Sequence, residues 1–233
     1  MTGSGSHSSL DERGYHPPLE EYLEAIHELQ EEGTQVIQAR LAERVGHSAP
    51  AVSETIRRLK TDGYVTVTDR AVQLTVKGRA RAESVVRKHR LAELLLTEII
   101  GLPWHKAHVE ACLWEHVISD EVEERLVELL GHPTTCPHGN PIPGSGHQGP
   151  GDLVALSEVA GGDQVRLQRI TEQVEINLEA LAYLSKAGFI PGVDATVTGR
   201  APDGTLTLDL GRETIALGPA LAQQLYVTAA RRP

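Results

Sequence analysis

ARLAERVGHSAPAVSETIRRLKTDGYVTVTDRAVQLT, residues 39–75, decides how the chain begins to fold. Across 36–45, Ile37, Leu41 and Val45 recur at helical spacing, and Gly46 supplies a stop, because helix ends favour a residue free to take positive φ. Ser48 suits an N-cap with Pro50 in the first turn, and Val52, Ile56 and Leu59 form the buried stripe of the next helix, which Asp62-Gly63 ends. Helix, three-residue turn, helix is the reading. The run YVTVTDRAVQLT alternates apolar and polar residues on both sides of Asp69-Arg70, the pattern of a β-hairpin and so of a wing. Upstream, Leu19, Tyr22, Leu23, Ile26 and Leu29 place a first helix over Leu19–Glu32.

In a helix-turn-helix the second helix enters the major groove, and flanking cations grip phosphates. Here Ser48, Pro50, Ala51, Ser53 and Glu54 would face the bases, with Arg57, Arg58 and Lys60 behind them and Gln38 and Arg40 on the preceding helix. Pro50 and Ala51 can only touch thymine methyls, so base discrimination by hydrogen bonds reads as thin and shape readout should matter. The chain carries a net charge of −10, which argues against a nucleic-acid partner only on average. Residues 34–90 hold twelve Lys/Arg against five Asp/Glu, a window of +7 in a remainder of −17. A solvated face would explain the charge alone equally well; the helix-turn-helix decides between them.

At 233 residues the chain has room for two or three compact units, and three are expected. No apolar run is long enough for a bilayer and MTGSGSHSSL has no export signal, so a cytoplasmic protein with no membrane partner is expected, opening on a disordered tail over 1–14. Two cysteines, Cys112 and Cys136, are too few for a disulfide framework and are expected reduced. Helical stretches over 77–100, 103–117 and 120–130 make an all-helical middle unit. The Gly-, Pro- and His-rich 131–151 lacks periodicity and reads as a linker. LVAL, VRLQRI, ATVTGR, TLTLDL and ETIAL are strand candidates around one helix, Asn177–Lys186, suggesting a small β-barrel.

The middle helix reads WHKAHVEACLWEHV, residues 104–117. Cys112, Glu115 and His116 stand at i, i+3 and i+4, so their side chains would leave one helix face together, a donor mixture suited to a divalent first-row metal. His108 and Cys112 form an i, i+4 pair, as do His89 and Glu93 on the preceding helix, and the first helix offers Glu21 and Glu24. Singly, each has a bland explanation as a solvated acid or a packed core residue. Two helices that each carry such a pair point to metal.

These stretches, with EEYLEAIHELQEEG (20–33), RKHRLAELLLTEIIGLPWHKAHVEACLWEHVISDEVEERL (87–126) and PTTCPHGNPIPG (133–144), resemble the diphtheria toxin repressor family of iron-dependent and manganese transport regulators. The resemblance runs over nearly the whole chain. It implies a mainly α fold with a small β part: a winged helix-turn-helix over 15–76, a helical metal-binding and dimerisation domain over 77–145, a linker over 146–151 and an SH3-like (FeoA-like) β-barrel over 152–233. It also implies a homodimer on palindromic double-stranded operator DNA, with room for two dimers per operator, acting as a metal-activated repressor of metal-homeostasis genes.

Two metal sites per subunit are implied. The primary one would use Cys112, Glu115 and His116 with Glu21, which stands where iron sensors carry Met; Glu24 matches a further acidic position of the manganese regulators. Exchange of a thioether for a carboxylate favours Mn2+, whereas Cys112 is the iron-sensor residue and keeps Fe2+ as the alternative. The ancillary one would use His89, Glu93, His108, Glu172 and Glu175. A family anion site would fall on Arg90 and Asn140, with Cys136 in place of a Ser. The rival from another class is a zinc metallohydrolase built on His105, His108 and Cys112 with Glu110 as base; it lacks the His-Glu-x-x-His pattern and leaves the helix-turn-helix unexplained.

Overall fold

The computed structural model describes residues 17–230; the tail expected over 1–14 lies outside them. The chain divides into two compact units, 1–86 and 87–233, and the boundary falls inside one helix, Val76–Leu94.

In the first unit, α1 (Pro17–Glu31), α2 (Gln38–Val45) and α3 (Ala49–Thr61) precede the hairpin of β1 (Val65–Thr68) and β2 (Ala71–Leu74) and the start of α4 (Val76–Leu94). The helical stripes meet in one core of Tyr22, Leu23, Ile26, Leu41, Val52, Ile56 and Leu59, closed by Val65 and Val72 of the hairpin. Burying each such side chain contributes about 1.5–3 kcal/mol, which sets the orientation of α3. Gly46 caps α2 at φ 66° and Ser48 takes the N-cap position of α3 without a side-chain capping bond, while Asp69 and Arg70 both take positive φ, as a two-residue hairpin turn with right-handed twist requires. The expected helix over 36–45 starts later: Val36 accepts from the Val72 amide and Ile37 bridges to Ala71, so these two β-branched residues extend the wing instead.

In the second unit, the rest of α4 runs into a π-helical turn, Leu95–Ile99, and a 3-10 turn, Trp104–Lys106, leads into α5 (Ala107–Trp114). The helix expected over 103–117 is thus shorter, and Glu115, His116 and Val117 lie in the turn beyond it. Ser119 caps α6 (Asp120–Leu129) by accepting from the Val122 amide. Six antiparallel strands follow in the order β3-β8-β4-β5-β6-β7. They are β3 (Leu153–Ala155), β4 (Gln164–Ile170), β5 (Asp194–Arg200), β6 (Leu206–Asp209), β7 (Thr214–Leu217) and β8 (Leu225–Ala230). Helices α7 (Glu172–Glu175), α8 (Leu178–Ala187) and α9 (Pro219–Ala222) lie between them in sequence. Strand β8 is absent from the runs singled out above, yet it is central, pairing with both β3 and β4. Tyr226, Val227 and Thr228 carry strand preference, and pairing with β4 continues the strand through the alanines that follow.

The segment read as a linker is largely a folded loop. Cys136, His138, Asn140 and Ile142 are buried, the Cys136 amide donates to the Asn140 carbonyl, and the Ile170 amide of β4 donates to the His138 carbonyl. Gly139 makes this docking possible: at φ 86°, an added Cβ would stand 1.9 Å from the Gln168 carbonyl oxygen.

Candidate functional site

Within the second unit, α4 presents His89 and Glu93 one turn apart, α5 presents His108 and Cys112 one turn apart, α7 brings Glu172 and Glu175, and the 134–142 loop adds Cys136 and His138. Glu93 is at the centre and wholly buried, with its Oε1 2.9 Å from His138 Nδ1, 3.3 Å from His89 Nε2 and 3.8 Å from His108 Nδ1. Glu175 Oε2 is 3.1 Å from His138 Nδ1 and 3.6 Å from His108 Nδ1, and Glu172 Oε1 is 3.1 Å from the same His108 nitrogen. Single donor atoms of His89, Glu93, His108 and Glu175 lie within 4.8 Å of one another, as do those of Glu93, Cys136 and His138 and those of His89, His108 and Cys112.

The chemistry of this set fits a divalent cation. Both Glu93 oxygens, His89 Nε2, His108 Nδ1 and both His138 nitrogens are buried without a hydrogen bond of acceptable direction, although several stand at ion-pair distance from each other. Groups this close but misaligned are an arrangement that a shared cation would satisfy better than their own ion pairs do. Leaving them unmatched would cost about 1–3 kcal/mol each, which coordination would offset.

The electrostatics follow from proximity and burial. Burial works against ionising Glu93, but the His138 and His89 imidazoles outweigh it and hold its carboxyl well below the usual range. Burial likewise opposes charge on His138, and Glu175 and Glu93 overcome it, pushing the imidazole well above its ordinary value. Burial, aided by the Glu93 charge, pushes the Cys136 thiol up to about 12. At Cys112 burial is outweighed by the contact with His108 and by the His89 imidazole nearby, which bring the thiol below its ordinary value. Glu172 is raised by burial and by Glu175 beside it.

The expected ancillary residues, His89, Glu93, His108, Glu172 and Glu175, are therefore brought together. The expected primary residues of this unit are arranged differently. Cys112 Sγ lies 3.5 Å from His108 Nε2, Glu115 Oε2 lies 2.5 Å from His89 Nδ1, and His116 Nε2 lies 3.0 Å from Glu115 Oε1. Among the described residues His116 joins none of the close donor groups. The reason is local: α5 ends at Trp114, so Cys112 stays on a helix face while Glu115 and His116 occupy the turn after it. His116 and His89 still act on Glu115; against the upward push of burial they lower its carboxyl to about 2. Of the anion pair, Asn140 Nδ2 donates to the Ile170 carbonyl at 3.0 Å and to Glu175 Oε1 at 2.6 Å, and Arg90 donates to the Pro141 carbonyl.

Two further donors join the set. The linker-like composition of its neighbours hides His138, and Cys136 is one of two reduced thiols, either of which could be a ligand, that the resemblance sets against an anion site. The available signal was the Cys136-Pro-His138 triplet, two ligand types one residue apart; Trp104 holds it in place by donating from Nε1 to the Pro137 carbonyl at 2.9 Å.

In the first unit, Glu21 is exposed and Glu24 half-buried on α1. Ser48, Pro50, Ala51, Ser53, Glu54, Arg57, Arg58 and Lys60 are all exposed on or at the head of α3, with Arg40 exposed and Gln38 half-buried on α2.

A winged helix-turn-helix and a buried His/Glu/Cys donor set in one chain define the class of metal-responsive DNA-binding regulators. Family models agree part by part: iron dependent repressor, N-terminal DNA binding domain, matches residues 16–71; iron dependent repressor, metal binding and dimerisation domain, matches 75–144; and a FeoA domain matches 154–229. The chain belongs to the iron-dependent repressor family, which includes the diphtheria toxin repressors. It is 44% identical over 220 residues to the iron-dependent repressor IdeR of Mycobacterium tuberculosis (H37Rv), covering 89% of this chain and 95% of that one. It is 42% identical over 217 residues to the diphtheria toxin repressor of Corynebacterium diphtheriae, with the same coverage. Among solved structures, a manganese-dependent transcriptional repressor in complex with manganese superposes at a TM-score of 0.80 with 33% identity, over 91% of this chain and all (100%) of that one.

Proposed function

We propose that this chain is a divalent-metal-activated transcriptional repressor that binds operator DNA as a homodimer in the cytoplasm and controls metal-homeostasis genes. The observation that carries this reading is the buried donor set around Glu93 and Glu175, several of whose atoms make no well-directed hydrogen bond among the described residues, in a chain that also carries an exposed recognition helix. The metallohydrolase reading falls away, because the family is one of DNA-binding repressors. No helix among the described residues is long and apolar enough to cross a membrane.

The proposed ancillary centre comprises His89, Glu93, His108, Glu172 and Glu175, enlarged by Cys136 and His138. A bound divalent ion there would supply the positive charge that lets Glu93, Glu172 and Glu175 lie together as carboxylates. His89, His108 and His138 would then serve as neutral ligands, and Cys136 would give up its proton. The regulatory set implied by the resemblance is Glu21, Cys112, Glu115 and His116, making two sites per subunit. Five acidic side chains across the two sets support Mn2+, and the two thiols support Fe2+ as the alternative. Exposed Ile99, Ile100, Val109, Leu113 and Val117 on the helical part support a second copy as partner, and two-fold symmetry would match a palindromic operator.

The test is duplex binding titrated with Mn(II), anaerobic Fe(II), Zn(II) and chelator, on sequences selected from a randomised library. Binding that appears with metal, is reversed by chelator and is lost in a Glu21→Ala, Cys112→Ala variant is the expected outcome. Binding of equal strength in chelator overturns the reading.

A further inference from the structure

The recognition helix carries one feature that thymine-methyl contacts and phosphate grips leave unused. On α3, Glu54 stands two residues from buried Val52 and two from buried Ile56, roughly 200° round the helix from each, which puts it on the line farthest from the core. Pro50, Arg57 and Thr61 share that line. Arg57 donates from Nη2 to Glu54 Oε1 at 2.6 Å and from Nε to Oε2 at 3.2 Å, a two-bond fork. Both side chains are well exposed, 65% for Glu54 and 73% for Arg57, so the pair contributes little to stability. What the fork does is turn the Glu54 carboxylate along the outer line of the helix, where it would meet base edges.

We propose that Glu54 is a base-reading residue that selects cytosine in the operator, with Arg57 as its positioning residue. This deepens the DNA-binding reading above and rests on it.

A carboxylate only accepts hydrogen bonds, and each oxygen keeps a lone pair outside the fork. Cytosine presents a lone donor in the major groove, its N4 amino group, whereas guanine presents O6 and N7 acceptors and thymine an O4 acceptor beside its methyl. Those two bases would set like partial charges against Glu54. Adenine pairs its amino donor with the N7 acceptor and falls between. Arg57 offsets the repulsion between the carboxylate and nearby phosphates, and the exposed Arg58 and Lys60 beside it are the phosphate grips.

The experiment enriches a randomised duplex library on the full-length, Mn(II)-loaded protein, then on Glu54→Gln and Arg57→Ala. Wild type is expected to fix a cytosine in each half-site, with replacement of that base pair weakening binding on the order of ten-fold or more. Glu54→Gln moves that one position toward adenine, which a side-chain amide grips through N6 and N7, and leaves the other positions as they were. Arg57→Ala blunts the cytosine preference, and Arg57→Lys restores it only in part, because an ammonium cannot form the fork. An unchanged base distribution in Glu54→Gln, with duplex binding retained, overturns the proposal. Absence of any enriched sequence for the metal-loaded wild type overturns the DNA-binding reading itself, and this proposal with it.

Discussion

Both units use carboxylates facing cations, in opposite settings. On α3 the Glu54–Arg57 pair stands in water, where screening leaves it worth a fraction of a kcal/mol. Around Glu93 the carboxylates and imidazoles are buried to 4% exposure or less, apart from the half-buried Glu172, and each group's protonation depends on its neighbours. The same chemistry thus serves recognition where it is exposed, since a solvated pair can exchange partners cheaply. Where it is buried it serves sensing, since an uncompensated charge there costs several kcal/mol and an ion changes the balance.

The sharpest way to break this comparison is Glu93→Ala. Removing the central acid takes one of two acidic partners from each of His89 and His138, which keep Glu115 and Glu175, and about 3 kcal/mol of stability should be lost in chelator, read by denaturant unfolding. A loss under about 1 kcal/mol would mean the cluster is wetter than its burial implies. Next is Gly139→Ala, which puts a methyl against the Gln168 carbonyl at a positive φ. We expect a loss of about 1–3 kcal/mol together with weaker metal binding, since the loop presents Cys136 and His138.

Acid unfolding probes the edge of the cluster. The Glu115 carboxyl is lowered from 4.5 to about 2, so its contribution is complete above 4.5 and disappears as pH falls toward 2. Glu115→Gln should therefore flatten the stability loss across that window by on the order of 2 kcal/mol; an unaltered pH profile would count against the His89 and His116 contacts. Metal binding itself should release protons. With the Cys136 thiol at about 12 and His138 raised, binding should tighten as pH rises. Calorimetry in buffers of differing ionisation heat should show about one proton fewer released by Cys136→Ala. Smallest of all, Arg57→Ala should change unfolding stability by less than about 0.5 kcal/mol, and a larger change would show that the exposed pair is structural after all.

Much of this was legible in the residues. Helical stripes, the Gly46 stop, the Ser48 cap and the alternation around Asp69-Arg70 are local signals, and the first unit follows them closely. The His89/Glu93 and His108/Cys112 pairs could be read because helical spacing puts i and i+4 side by side. Reading failed where one segment's conformation depends on another. Helical spacing takes in Val36 and Ile37, β8 lies outside the runs that alternation picks out, and the composition of the 134–142 loop reads as a linker.

By itself, then, the sequence determined which elements form, which of their faces turn inward, and that two helices carry metal-type donors, because periodicity and capping act within a few residues. Tertiary structure alone decided that Cys136 and His138 stand beside Glu93 and Glu175, and that Glu115 turns to His89. Those neighbours are separated by tens of residues, and only the packing of α4, α5, α7 and the loop around Gly139 brings their side chains within a few ångströms of one another.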